Sequence, residues 1–450
     1  MAKKRPIASI IITAHNYGRY LEESIESAVN QNFDNYEVIV VDDGSTDNTP
    51  KIIKKYKKKY PSKIKAVTLD GVGLSEACNK GVKKSKGKYI VRLDADDYFD
   101  ENLLLVEVTY LEKHPKVDMV YPDYFEVDEK GNLLNYHRNM KVGKESKLLD
   151  RAPIAIGAMY RRSCYDKIGG YDENLKYQEN YEFWAKFTEK YKVQTINIPL
   201  MYYRRHGNSM SSNEAGKRAA RRKIKKKFAK KTNGRTIALI PARGAAKEQD
   251  KLALIEINGK PLIYYTIREA LKVKEFENVY VSTEDEKIAD VSRKMGANVL
   301  MRPRKLATAK TPMEKVVLNA VEQLDVKPEV IAILQVPSPL KKAKHIKEAI
   351  NTMKMYDVDS VISVYKTKKF YWRPGMYGLT PLFKKRLLKQ EKEGLYAENG
   401  AIYLIKTENL RPNDMLGKSV GNIIMSRHDS FRVRSKDDIW LLEKILEKYN

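Results

Sequence analysis

The chain has 450 residues, room for two or three domains with separate cores. Its 42% hydrophobic content marks it as globular, and no stretch reaches the roughly 18 unbroken apolar residues of a membrane-spanning helix. A net charge of +27 favours anionic partners such as nucleotide phosphates or lipid headgroups. Cys78 and Cys164 carry no metal-ligand spacing and read as free thiols of a reducing cytoplasm. The basic, apolar start of the chain is broken by Asn16, Tyr17 and Gly18 too early for a signal peptide.

In the first half, β-branched and apolar runs at Ile7–Thr13, Glu37–Val41, Ile64–Leu69 and Tyr89–Leu93 predict buried strands. Helical periodicity predicts helices over Tyr20–Asn30, Thr49–Tyr60 and Leu74–Ser85. Strands alternating with helices argue a mostly parallel sheet covered on both faces. Ligands bind such sheets beyond the carboxyl ends of the strands. Three predicted strand ends carry polar clusters: Thr13–Asn16, Asp42–Asp43 and Asp94, Asp96 and Asp97. Several carboxylates delivered by one strand suit a hard divalent cation shared with substrate phosphates.

These segments resemble the inverting family-2-type glycosyltransferases of the GT-A fold over residues 6 to about 210. The resemblance rests on Ser9–Asn16, Val40–Asp47, Gly73–Asn79, Gly87–Asp97, Ala158–Arg162 with Ile168–Asp172, and Gln178–Trp184. It implies transfer of a sugar from a nucleotide-diphosphate sugar, most simply a UDP-sugar, to a glycan or lipid-linked acceptor. It also implies Mn²⁺ or Mg²⁺, with Asp96 as metal ligand. Thr13, His15, Asn16, Asp42, Asp43, Asn79 and Asp94 then line the nucleotide-sugar site. The family's usual base is an Asp where this chain has Asn180, and a neutral amide takes no proton at pH 7. Glu179 and Glu182, three residues apart on one helix face, are the replacement candidates. Cys78 stands where the family often has an Arg, which removes a phosphate contact that Arg92 or Arg204 could replace. Tyr202–His206 with Ser209–Ser211 matches the closing segment of such domains, His206 reading as a surface histidine or a group near the diphosphate.

Residues 214–234 form a basic join. Ten of the fifteen residues from Lys217 to Lys231 are Lys or Arg, with Ile224 and Phe228 among them. It reads as a solvated helix face or as an amphipathic helix on an anionic membrane surface. From residue 235 alternation resumes, with strands expected at Thr236–Pro241, Val279–Ser282, Val330–Gln335 and Ser360–Val364. Helices are expected at Leu262–Lys272, Glu286–Lys294, Met313–Leu324 and Ile346–Met355. Residues 235–450 resemble the acylneuraminate cytidylyltransferases through Ile237–Gly244, Gly259–Ile263, Val281–Asp285, Arg302-Pro303, Leu334–Leu340 and Asn399–Tyr403. That family activates a sugar acid with CTP and Mg²⁺. Its phosphate loop is altered here, with Ala246 and Asp250 in place, and Arg432 and Arg434 stand where its metal-binding acids fall. Two guanidiniums hold no Mg²⁺. The second domain thus reads as degenerate, with Arg243, Lys247, Gln335, Arg432 and Arg434 left as an anion or nucleotide site, or as a dimerisation module.

The expected fold is therefore α/β: two mostly parallel Rossmann-like αβα domains, residues 1–213 and 235–450. The expected function is inverting glycosyl transfer in surface glycan or polysaccharide synthesis, in the cytoplasm either free or peripheral on the inner face of the cell membrane. The rivals are a bifunctional enzyme that also makes a CMP-activated sugar acid, and a non-enzymatic basic protein binding membrane or nucleic acid. The aromatic residues form no stacking platform, which argues against nucleic acid.

Overall fold

The computed structural model describes residues 5–142, 156–207, 213–230, 234–244, 252–375, 378–382 and 395–449. The chain divides into two compact units, Met1–Ile224 and Lys225–Asn450.

The first unit opens with β1 (Ala8–Ala14), α1 (Gly18–Val29), β2 (Tyr36–Asp43), α2 (Thr49–Lys59), β3 (Ile64–Leu69), α3 (Leu74–Lys84) and β4 (Tyr89–Asp94). There follow β5 (Tyr98–Phe99), α4 (Leu103–Lys113), β6 (Met119–Val127), β7 (Leu133–His137), β8 (Met159–Arg161), α5 (Arg162–Ile168), α6 (Glu179–Lys190), β9 (Val193–Arg204) and α7 (Glu214–Phe228). They build a sheet of order β3-β2-β1-β4-β8-β6-β9-β5, with β7 on β6. The strands β3, β2, β1 and β4 are parallel; β8 then pairs antiparallel with β4. β1 and β2 are buried at every position, which explains their unbroken apolar sequence: helices cover both faces. Ile10, Ile12, Val38, Val40, Val91 and Leu93 join one core cluster with Leu21 and Ile25 of α1 and Ile52 and Tyr56 of α2. The lysines between those α2 positions stay in water. On the opposite face α3 packs so close that a Cβ at Gly81 would lie 2.5 Å from Ile11 Cγ2. The order 3-2-1-4 places a switch point between β1 and β4, where loops from their carboxyl ends part and leave a crevice.

The second unit contains β10 (Thr236–Pro241), β11 (Glu256–Ile257), β12 (Lys260–Pro261), α8 (Leu262–Leu271), β13 (Asn278–Thr283), α9 (Glu286–Lys294), β14 (Asn298–Met301), α10 (Met313–Glu322), β15 (Val330–Leu334) and α11 (Ala343–Tyr356). It ends with β16 (Ser360–Thr367), β17 (Trp372–Gly375), β18 (Gly378–Pro381), β19 (Leu395–Lys406), β20 (Val420–Ile424) and α12 (Lys436–Tyr449). Its main sheet runs β14-β13-β10-β15-β19-β16-β20. The first four strands are parallel, and β19 enters antiparallel between β15 and β16. Both sheets are thus parallel in the half that forms the ligand edge and mixed beyond it, in line with the expected fold class.

The basic join is helical from Glu214 to Phe228, and the division between units falls inside it. Its Ala220 and Ile224 are 7% and 1% exposed. Those two residues are therefore spent on protein packing, while Phe228 is only partly buried. Among the described residues no helix is long and apolar enough to cross a membrane.

Candidate functional site

The end of β4 delivers Asp94, Asp96 and Asp97 together; one ligand atom from each lies within 4.8 Å of the others. Each acid is oriented by a buried cationic or aromatic partner. Arg92, 2% exposed, points from β4 itself and donates Nε and Nη2 to Asp94 Oδ1 and Oδ2 at 2.7 and 2.9 Å. His206 Nε2 lies 2.9 Å from Asp96 Oδ2, its ring held against Tyr17 and Tyr20. The Arg204 backbone N–H donates to Asp97 Oδ1 at 2.8 Å, while its Nε donates to the Asp96 carbonyl at 2.9 Å. Asp97 Oδ2 is buried without a hydrogen-bond partner. Burial, with Asp96 and Asp94 adding repulsion, pushes the Asp97 carboxyl well above its usual range. Burial likewise raises Asp94 to about 6, against the pull of Arg92. A crowded acid group with an orphaned oxygen fits a hard cation, which would relieve both the repulsion and the missing contact. The sequence reading placed Asp96 alone at the metal; the structure brings Asp94 and Asp97 within ligating distance as well.

The ends of β1 and β2 form the neighbouring wall. Thr13 Oγ1 is buried without a hydrogen-bond partner. Asp42 Oδ1 accepts from Ser45 N at 3.0 Å and shapes the turn after β2. Several expected ligand-binding residues are already committed to the protein. Asn16, at φ 60°, accepts from Thr46 N at 2.7 Å and Asp47 N at 3.3 Å, tying the β1 turn to the β2 turn. His15 Nδ1 donates to the Asp43 carbonyl at 2.6 Å. Both Asp43 oxygens accept backbone N–H groups, from Val72 and Gly73 at 2.8 Å. The Asn79 side chain donates Nδ2 to the Tyr171 carbonyl at 2.9 Å and accepts the Tyr171 backbone N–H on Oδ1 at 3.0 Å, which clamps α3 to the segment before α6. These residues shape the wall, and their hydrogen-bonding atoms are mostly used in doing so. Cys78 is buried, its thiol pushed up to about 12 by burial.

Arg92 and Arg204 do not replace a missing phosphate contact. Arg204, 3% exposed, spends its other nitrogens on Glu23 and on the carbonyls of Asp128 and Glu129. Arg92 Nη1 donates to Asn180 Oδ1 at 2.8 Å and lies 3.5 Å from Glu179 Oε1. Arg92 thus joins the acid cluster to the first turn of α6. Glu179 retains 11% side-chain exposure beside it. Glu182 does not fit the role of base: its side chain is fully buried and pairs with Lys186 at 3.1 Å. One helix face carries both acids, but only the N-terminal one is next to Arg92. His206, read first as a surface histidine, is 3% exposed in its side chain and belongs to the cluster. Ser209–Ser211, the companion of that segment in the same reading, lie outside the described residues.

In the second unit the corresponding strand edge is cationic. Arg243 is exposed two residues past β10, and Lys247 lies outside the described residues, as do Ala246 and Asp250. Gln335, just after β15, donates its N–H to the Ala401 carbonyl at 3.2 Å. Its own carbonyl accepts from Lys341 Nζ at 2.7 Å. Lys341 went unnoticed in a Lys-rich stretch, yet it is 0% exposed and also donates to Thr266 Oγ1 at 2.9 Å and the Ser338 carbonyl at 2.7 Å. Arg432 reaches over Gly400 beside Gln335, whereas Arg434 stays exposed where Ser435 and Asp438 cap α12.

Residues 9–169 match the model of glycosyl transferase family 2, and residues 237–422 match that of cytidylyltransferase. The chain therefore joins a domain of the first kind to one of the second. An uncharacterized glycosyltransferase of Rickettsia prowazekii (strain Madrid E) is 33% identical over 199 residues, which is 42% of this chain and 60% of that one. The chondroitin synthase of Escherichia coli is 28% identical over 210 residues, 46% of this chain and 30% of that enzyme. This chain thus spans less than two thirds of either relative. A solved CMP:2-keto-3-deoxy-manno-octonic acid synthetase complexed with CTP aligns with a TM-score of 0.39 at 14% identity, covering 48% of this chain and 100% of that one.

Proposed function

We propose that the first domain, residues 1–213, transfers a sugar from a nucleotide-diphosphate sugar to an acceptor hydroxyl with inversion, in the assembly of a glycan. The observation that carries this reading is the acid trio at the end of β4, with the unpartnered Asp97 Oδ2 among it. A divalent cation, Mn²⁺ or Mg²⁺, bound there supplies positive charge to the departing diphosphate. The chain's own residues do the rest. His206 fixes Asp96, Arg204 fixes Asp97, and Arg92 fixes Asp94. The buried Thr13 hydroxyl and Asp42 offer polar contacts to the nucleoside. Glu179, on the first turn of α6, is the carboxylate placed to take the acceptor proton. A polysaccharide synthase among the relatives supports a glycan product, and a UDP-sugar is the expected donor.

The second domain, residues 235–450, is read as a ligand-binding or packing module without cytidylyl transfer. The test uses the full chain with a panel of UDP-sugars and Mn²⁺. UDP release is expected with one of them and is lost in Asp96→Ala. If no nucleotide sugar is turned over or raises the melting temperature in Mn²⁺, the reading fails.

A further inference from the structure

At the carboxyl edge of β15 in the second unit, Arg432 carries its guanidinium half-buried with no hydrogen-bond acceptor and no carboxylate among the described residues. The arginine is held there on both sides. Val433 N donates to the Pro337 carbonyl at 2.8 Å, which lays the segment along the loop after β15. Asn399 Nδ2 donates to Ser430 Oγ at 2.9 Å, which ties the start of the same segment to the bulge of β19 against β16. Gly400 in that bulge has φ 67°, and a Cβ there would lie 2.2 Å from Arg432 Nη1. A side chain at 400 would evict the guanidinium.

No carboxylate among the described residues lies within ion-pair distance of the Arg432 guanidinium. Lys341 has only neutral acceptors within hydrogen-bond distance, and it feels both Glu269, which opposes the effect of burial, and Arg432, which adds to it. Arg243 adds an exposed cation past the adjoining β10. The nearby acids are engaged: Glu284 with Arg302 at 3.0 Å and with Gly244 N, Glu269 with Lys272, and Glu398 with the Tyr403 hydroxyl. Among the described residues, the only acid trio able to hold a metal belongs to the first unit. A planar fork of five donors, left unpaired in a half-buried position, matches an oxyanion.

We propose that this edge binds the oxyanion of a nucleotide or sugar acid, phosphate or carboxylate, directly on Arg432 and without a divalent cation. The inference rests on the second unit alone and survives or fails independently of glycosyl transfer in the first.

Calorimetry on the full chain in EDTA, with CMP, inorganic phosphate and glucuronate as probes, tests it. At least one probe is expected to bind. Arg432→Gln should weaken that binding about tenfold or more, and Arg432→Lys several-fold, since an ammonium keeps the charge and loses the fork. Asp96→Ala should bind as the parent does. Binding of phosphate and CMP identifies a phosphate group; binding of glucuronate alone identifies a carboxylate. The inference is overturned if no probe binds in EDTA, if binding appears only with Mn²⁺, or if both Arg432 variants bind like the parent. Should the Gln variant lose its cooperative melt, the Lys variant alone decides.

Discussion

The two units share a doubly wound plan and put opposite charges on its ligand edge. In the first, acids face the crevice, and arginines lie buried behind them, each satisfied by protein oxygens. In the second, Glu284 and Glu269 are tied up in ion pairs, and the half-buried Arg432 has no carboxylate partner among the described residues. The backbone fixes where side chains arrive; which charge arrives is decided by a few residues in the turns. An acid-lined edge calls for a cation as intermediary to a phosphate, whereas a guanidinium-lined edge meets an anion without one.

The largest break in that contrast is Asp96→Ala. It is expected to lower UDP-sugar turnover about a thousandfold. The unliganded protein should melt no lower, because one member of a mutually repelling acid group is gone. Arg92→Met comes next. It leaves Asp94 and Glu179 beside an apolar stub and is expected to cost about 3 kcal/mol of stability, read from urea unfolding. Glu179→Gln keeps the shape and removes the proton acceptor, and should lower transfer to an acceptor about a hundredfold.

The second edge has its own lever. Burial lowers Lys341 from 10.5 to about 7, with Glu269 opposing and Arg432 adding to the shift. Between those pH values the unfolded chain binds the proton and the folded chain does not, so stability rises with pH across that window. Below pH 7 the full cost of the buried charge is present. Raising the pH from 7 to 9 should stabilise the second unit by about 2 kcal/mol, and Lys341→Met should flatten that slope.

Much of the plan was legible in the sequence, because buried parallel strands are apolar at every position and end abruptly in polar residues. β1, β2 and β4 each stand where their β-branched runs put them, within a residue or two. The acid trio was visible for the same reason. What could not be read was commitment. Asn16, Asp43 and Asn79 have the right chemistry for a ligand, but their partners are backbone groups up to 92 residues away. Nothing local separates a polar residue that binds substrate from one that binds a neighbouring loop. Lys341 was hidden for the converse reason: it sits in a Lys-Lys-Ala-Lys run that looks solvated, and only the turn after β15 folds it inward.

Glu182 supplies the smallest expected effect and the finest discrimination. Its carboxylate and that of Glu179 share one face of α6, and helical spacing alone gives them equal claim to be the base. Packing separates them. Glu182 is 0% exposed on a helix turn whose Tyr181, Phe183 and Trp184 are also buried, and its charge is matched by Lys186. Lys186 also donates to the Gly170 carbonyl, so it keeps a partner when the glutamate is neutralised. Glu182→Gln should therefore cost about 1 kcal/mol of stability and leave transfer within about threefold of the parent. A loss of transfer as deep as that of Glu179→Gln, with the melting temperature unchanged, would move the base one helical turn inward. It would require α6 to open when the acceptor binds, because no acceptor hydroxyl reaches a fully buried carboxylate in the present packing.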